Sequence, residues 1–225
     1  MKSDLFEYLS GKYGALIGRG AFSLVFRKEK EDFVTILSVD KAKECAAYFG
    51  LNSLDCQESE DLSGILFPKI EFQQDSELDE ILEKYYNPQG VSNKFKGIRG
   101  IENAKLYKMR YFPRVKSLKS ALKPDQWELY LKLRQIMNKG IFADSNWGRI
   151  DKYRELFNEL PGKYGEIMNA ALDSLISYGD SISFEISPRN VAVDIGENED
   201  KGNGQGNLVL LDCFFFREDL GFQRK

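Results

Sequence analysis

The apolar pattern of this chain changes character near Pro113, and that change limits the folds open to it. Before Pro113 the apolar residues fall in short runs: Leu24-Val25-Phe26, Phe33 to Val39, Leu66 to Phe72 and Ala104 to Phe112. Such runs, rich in β-branched and aromatic side chains and bounded by turn residues, read as strands. After Pro113 the apolar residues recur at helical spacing, as in Trp127, Leu129, Tyr130, Leu133 and Ile136. The spacing predicts helices over 124–138, 153–160 and 166–178. The Trp127 to Ile136 stripe reads as core rather than as a cofactor contact. Strands grouped first and helices grouped later imply an α+β architecture of two lobes. The expected domains are a β-rich lobe over 1-112, with an insertion at about 73–100, and an α-rich lobe over 113-225.

The remaining elements of the first half follow from local signals. Leu5 to Leu9 reads as a short helix or a leading strand. Asp40 can cap a helix from Lys41 to about Phe49, with Ala42, Cys45, Ala46 and Phe49 on one face and Gly50 as its stop. Glu77 to Tyr86 reads as an amphipathic helix ended by Asn87-Pro88. Asn93 to Arg99 is basic with interleaved apolar residues. One short basic stretch falls short of a basic face, so it reads as a solvated loop before the next strand rather than a nucleic-acid contact.

Composition excludes several classes of function. The chain has 225 residues, enough for one domain or a small two-lobed unit. A formal net charge of −3 argues against nucleic acid as a partner. No apolar run approaches membrane length, so no membrane partner is expected. The start, Met1 to Glu7, is acidic where a signal peptide needs apolar residues. Cys45, Cys56 and Cys213 are irregularly spaced, which fits a reducing, cytoplasmic compartment and gives no zinc pattern. There is no histidine, so Ser-His-Asp triads and His-ligated metals are excluded. Acid–base chemistry must come from carboxylates, Lys, Tyr or Cys.

Two stretches carry the chemistry. In Gly18-Arg19-Gly20-Ala21-Phe22-Ser23-Leu24-Val25 the glycines can bring backbone N–H groups close to phosphates. A dinucleotide-binding turn would lead into a helix, whereas Leu24-Val25-Phe26 leads into a strand. The residues therefore describe a strand-loop-strand flap over a ligand, or a plain hairpin turn. The second stretch begins Glu185-Ile186-Ser187-Pro188-Arg189-Asn190 and continues through the apolar run Val191-Ala192-Val193. A polar turn-rich segment from Gly196 follows, then a second apolar run, Leu208 to Leu211, which ends in Asp212.

This order of parts resembles eukaryotic-like protein kinases over most of the chain. In its small size it is similar to the early protein kinases of bacteriophages and to compact bacterial effector kinases. The resemblance puts Gly18 to Val25 at the Gly-rich loop, with Ser23 in place of the third glycine. It puts the hinge at Arg110 to Phe112, the catalytic loop at Glu185 to Asn190, and the magnesium-binding turn at Asp212-Cys213-Phe214. It implies a two-lobed protein-kinase-like fold with ATP and Mg²⁺ as cofactors. The implied nucleotide contacts are Gly18, Gly20, Ser23, Val25, Arg27 and Tyr111. Asn190 and Asp212 are the implied metal ligands, and Glu185, Asn190 and Asp212 the implied catalytic group. For Asp212 the alternative is a strand-end turn residue, and for Asn190 a brace for its own loop. Glu185 is either a proton acceptor or a buried brace.

The departures from the family pattern bear on activity. The third strand offers Leu37 or Ser38 where the family has a lysine. Glu185 replaces an aspartate and reaches one methylene further. Ser187 replaces a loop lysine. The sequence reaches Lys225 soon after Asp212, so the expected C-lobe is truncated and lacks the platform for a peptide substrate. A replacement cation is expected from Arg27, on the face of Val25, with Arg19, Lys41 and Lys43 behind it. Glu44 is the helix carboxylate that the missing lysine would have paired with. Two functions follow as expectations. One is an atypical kinase that binds Mg-ATP weakly and transfers phosphoryl to Ser or Thr of a protein. The other is a pseudokinase that inhibits or recruits a protein partner, in a host-cell cytoplasm if the source is viral or an effector.

Overall fold

The structure is a computed structural model that describes residues 2–52, 66–84, 94–95, 98–139, 144–196 and 205–217. It is a mixed α+β protein in two compact units. One comprises Met1–Gly50 and Lys69–Tyr111, the other Leu51–Pro68 and Phe112–Lys225.

The first unit is built on a five-stranded antiparallel sheet. Its spatial order is β1 (Ala15–Arg19), β2 (Ser23–Arg27), β3 (Phe33–Ser38), β7 (Lys105–Arg110) and β4 (Ile70–Gln73). Directly opposed residues share a face, so the register sorts the side chains. Leu24, Leu37 and Leu106 oppose one another across β2, β3 and β7 on one face. That face is covered by α1 (Lys2–Tyr13) and α3 (Ser76–Glu83) through Leu5, Leu9, Leu78 and Leu82, all buried. Each helix presents its pair at i and i+4, one turn apart. Leu5 to Leu9 is thus part of a helix and not a strand. The other face carries the rows Val25, Ile36, Tyr107, Phe72 and Ser23, Ser38, Lys105.

Three expectations for this unit are corrected. The stretch expected to be a solvated loop over Asn93 to Arg99 contains paired strands, β5 (Lys94–Phe95) and β6 (Ile98–Arg99). Phe95 and Ile98 are buried in the same core as Leu5 and Leu9, because the apolar sheet face needs more cover than two helices give. The strand expected over Leu66 to Phe72 begins only at Ile70. Pro68 has no N–H for a ladder, and Leu66 to Pro68 belong to the second unit, where the Leu66 carbonyl accepts from Leu210 N–H at 2.8 Å. The helix α2 (Lys41–Asn52) runs past Gly50; a glycine inside a helix costs only about 1 kcal/mol and need not end it. Its cap is as expected, with Ala42 N–H donating to Asp40 Oδ1 at 2.9 Å. The expected end of the helix from Glu77, at Tyr86 to Pro88, lies outside the described residues, and α3 is described to Glu83.

The second unit contains α4 (Leu118–Ala121), α5 (Pro124–Asn138), α6 (Asn146–Asn158) and α7 (Tyr164–Ile176). Leu129, Tyr130, Leu133 and Ile136 of α5 are buried, and half-buried Trp127 stacks on Tyr130. The helix expected from Tyr153 starts a full two turns earlier, where Ser145 Oγ accepts from Gly148 N–H at 3.0 Å. Four short strands follow: β8 (Ile182–Phe184), β9 (Val191–Asp194), β10 (Asn207–Leu210) and β11 (Phe214–Phe216). They form two antiparallel ribbons, β9 with β10 and β8 with β11. Buried Gln126 ties them to the helices. Its amide oxygen accepts from Leu208 N–H at 3.2 Å, and its nitrogen lies 2.7 Å from the Tyr164 hydroxyl.

Candidate functional site

In the second unit the two ribbons bring the carboxylates and the amide together. The loop from Glu185 to Asn190 joins β8 to β9, and the turn from Leu211 to Cys213 joins β10 to β11. Two backbone hydrogen bonds lace loop to turn. Glu185 N–H donates to the Cys213 carbonyl at 2.8 Å, and Leu211 N–H donates to the Asn190 carbonyl at 2.8 Å. Asp212 lies between the two laced turn residues and so is bracketed by the two ends of the loop. The loop is a tight turn, with Asn190 N–H donating to the Ser187 carbonyl at 3.0 Å and Arg189 N–H to Ser187 Oγ at 3.3 Å. Ile186 anchors it in the core, 1% exposed.

Glu185 and Asp212 are exposed and Asn190 is half-buried. Exposure rules out the buried-brace role for Glu185. Among the described residues no group of three or more acidic or cysteine side chains gathers as a metal cage. Mg²⁺ does not need one. It keeps several waters and takes one or two protein oxygens beside phosphate oxygens. Asn190 on the loop and Asp212 on the turn carry hard oxygen donors of the kind that ion takes.

In the first unit the glycine stretch is a hairpin. Gly18 opposes Val25, and a Cβ on Gly18 would stand 3.3 Å from that of Val25. Gly20 N–H donates to the Ser23 carbonyl at 2.8 Å, so one of the two amides expected to face a phosphate closes the turn. Ser23 is turned inward: its hydroxyl lies 2.6 Å from that of Ser38. The Ser38 hydroxyl also lies 3.2 Å from the Phe22 carbonyl and accepts from Asp40 N–H at 3.1 Å. Arg27 and Tyr111 meet, with the guanidinium 3.7 Å from the ring centroid. Arg27 Nε donates to the Glu31 carbonyl at 2.9 Å, and Tyr111 N–H donates to the Asp32 carbonyl at 2.8 Å.

A contact that sequence reasoning missed is made by Lys105. It forms an ion pair with Glu44 of α2 and opposes Ser38 directly across β3 and β7. Finding it requires the register of strands far apart in sequence, and no local signal carries that. Next to Glu44, Cys45 is buried; burial, followed by the Glu44 charge, pushes its thiol up to about 12. It is inert as a nucleophile at neutral pH.

Comparison of the chain with protein-family models, curated proteins and solved structures gives no match. Among the described residues no helix is long and apolar enough to cross a membrane.

Proposed function

We propose that this is a protein-kinase-like protein that binds Mg-ATP and transfers phosphoryl slowly to Ser or Thr of a protein. The observation that carries the reading is the lacing of the Glu185–Asn190 loop to the Asp212 turn by two 2.8 Å backbone bonds. It holds a carboxylate and an amide for the ion and a second carboxylate for the hydroxyl proton. The sheet order β1-β2-β3-β7-β4 with α2 between β3 and β4 supports the same reading, since it suits the N-lobe the motifs imply. In this reading Asn190 and Asp212 would hold Mg²⁺, which would supply charge neutralisation at the phosphates, and exposed Glu185 accepts the proton of the attacking hydroxyl. Transfer is slow because β3 carries no cation and Ser187 replaces a lysine. Losing one such electrostatic contact costs about 10²–10³ in rate.

A second reading, a pseudokinase that acts by binding a protein partner, is favoured by one observation. The Gly20 amide and the Ser23 hydroxyl, both expected at phosphates, are engaged within the hairpin and its neighbouring strand. Transfer of ³²P from labelled ATP, to the protein itself or to a generic Ser/Thr substrate, separates the two. The kinase reading predicts slow, Mg²⁺-dependent incorporation that Glu185→Gln and Asp212→Ala both reduce by about 10²-fold or more. Nucleotide binding with no incorporation in Mg²⁺ or Mn²⁺ leaves the pseudokinase.

A further inference from the structure

We propose that Tyr153 of α6 and Met137 of α5 are positioning residues for Glu185, each holding a backbone amide next to it. The proposal rests on the kinase reading above and deepens it, and it lies wholly within the second unit. The amides of Phe184, Glu185 and Ile186 are taken by three different elements. Phe184 N–H donates to the Tyr153 hydroxyl oxygen at 3.1 Å. Glu185 N–H donates to the Cys213 carbonyl at 2.8 Å. Ile186 N–H donates to Met137 Sδ at 3.3 Å.

Extended backbone explains the pattern. Successive amides of a strand point to opposite sides. Where β8 ends, the Glu185 amide therefore faces the ribbon partner, and those of Phe184 and Ile186 face outward. Both residues are buried, and a buried amide without an acceptor is costly. Among the described residues β8 pairs with β11 alone, so side chains from two helices accept where a third strand would have done. Glu185 itself is exposed, so its carboxylate is placed by the backbone beneath it rather than by packing.

The two acceptors differ in stiffness. Tyr153 is buried, its ring stacked on Phe157 at 5.8 Å and edge-on to Phe184 at 6.3 Å. Burial raises its pKa, against the opposing pull of the Phe184 amide, Arg149 and Arg217. At neutral pH it is a neutral phenol, which leaves the substrate proton to Glu185. Met137 is half-buried in the last turn of α5. Its thioether is a weak acceptor, the softer of the two holds.

A double-mutant cycle on the full chain tests this, read as ³²P transfer from Mg-ATP to a generic Ser/Thr substrate. Tyr153→Phe keeps the ring and removes the acceptor. Met137→Leu keeps the volume and removes the sulfur. Each is made on the wild-type chain and on Glu185→Gln, with melting midpoints and amide hydrogen exchange measured alongside. A misplacement of about 1 Å can cost about 10²-fold in rate, so each variant should lower kcat about tenfold or more and leave the KM for ATP unchanged. On Glu185→Gln neither should lower the residual rate further, because nothing is left to position. Exchange should quicken at the Phe184 amide in Tyr153→Phe and at the Ile186 amide in Met137→Leu. Wild-type kcat in both variants, a change in KM alone, or equal losses on the wild-type and Glu185→Gln chains would overturn the proposal and spare the kinase reading. If one variant fails to fold, the other decides by the same criteria. No transfer by the wild-type protein would overturn the kinase reading and this assignment with it.

Discussion

Asp75 receives hydrogen bonds from the Tyr8 hydroxyl at 2.8 Å, Lys12 Nζ at 2.8 Å and the Tyr13 hydroxyl, and it caps α3 through Leu78 N–H at 3.3 Å. It therefore ties α1 to α3 over the apolar face of the sheet. Burial alone would raise its pKa, but the donors from Lys12, Tyr13, Tyr8 and Leu78 outweigh burial and hold it at about 2. A carboxylate depressed on folding contributes stability above its unfolded pKa of about 3.9 and loses it as pH falls through the folded value. Urea unfolding from pH 7 to pH 2 should show a contribution of about 2 kcal/mol lost between about pH 4 and pH 2. Asp75→Asn should flatten that window, and a retained loss of the same size would assign it to other groups. Asp75→Ala should cost about 3 kcal/mol by orphaning the cap and two hydroxyls. None of this was legible in the sequence, because the tyrosines lie 67 and 62 positions from the carboxylate. Lys105 was hidden for the same reason, 61 positions from Glu44.

At the scale of elements, the join from α1 to β1 depends on Gly14. Its φ is +89° and a Cβ there would stand 2.3 Å from the Arg27 carbonyl oxygen. Gly14→Ala should therefore cost about 2 kcal/mol or more, through left-handed strain plus the clash, read as a lower urea midpoint. Gly11→Ala, inside α1 with nothing within 4 Å of its Cβ, should instead stabilise by about 0.5–1 kcal/mol. The long elements were readable because their period is local: β3, β7 and α5 follow their apolar spacing. Phe95 and Ile98 were not, since a two-residue strand has too few positions to show a period, and their burial answers to a distant sheet face. The extra turns of α6 were missed because Asn146, Trp147 and Gly148 are poor helix formers held by the Ser145 cap.

At the scale of the whole molecule, the grouping of strands before helices was legible as an α+β chain. A single cut near residue 113 was not the whole division, because Leu66 to Pro68 belong with the second unit. The constellation of Glu185, Asn190 and Asp212 was legible as a motif, yet its lacing through Cys213 and Leu211 was not, since that depends on ribbon pairing. The central claim is that this constellation binds Mg-ATP. Thermal unfolding with and without Mg-ATP, in wild type and Asp212→Ala, tests it most directly. At about 100 times the dissociation constant, ligand should stabilise the protein by about 2.7 kcal/mol, raising the midpoint visibly in Mg²⁺ and less in EDTA. Asp212→Ala, read against its own ligand-free midpoint, should lose the metal-dependent part of the rise. No rise at millimolar Mg-ATP in the wild-type protein, with no heat in calorimetry, would contradict the account.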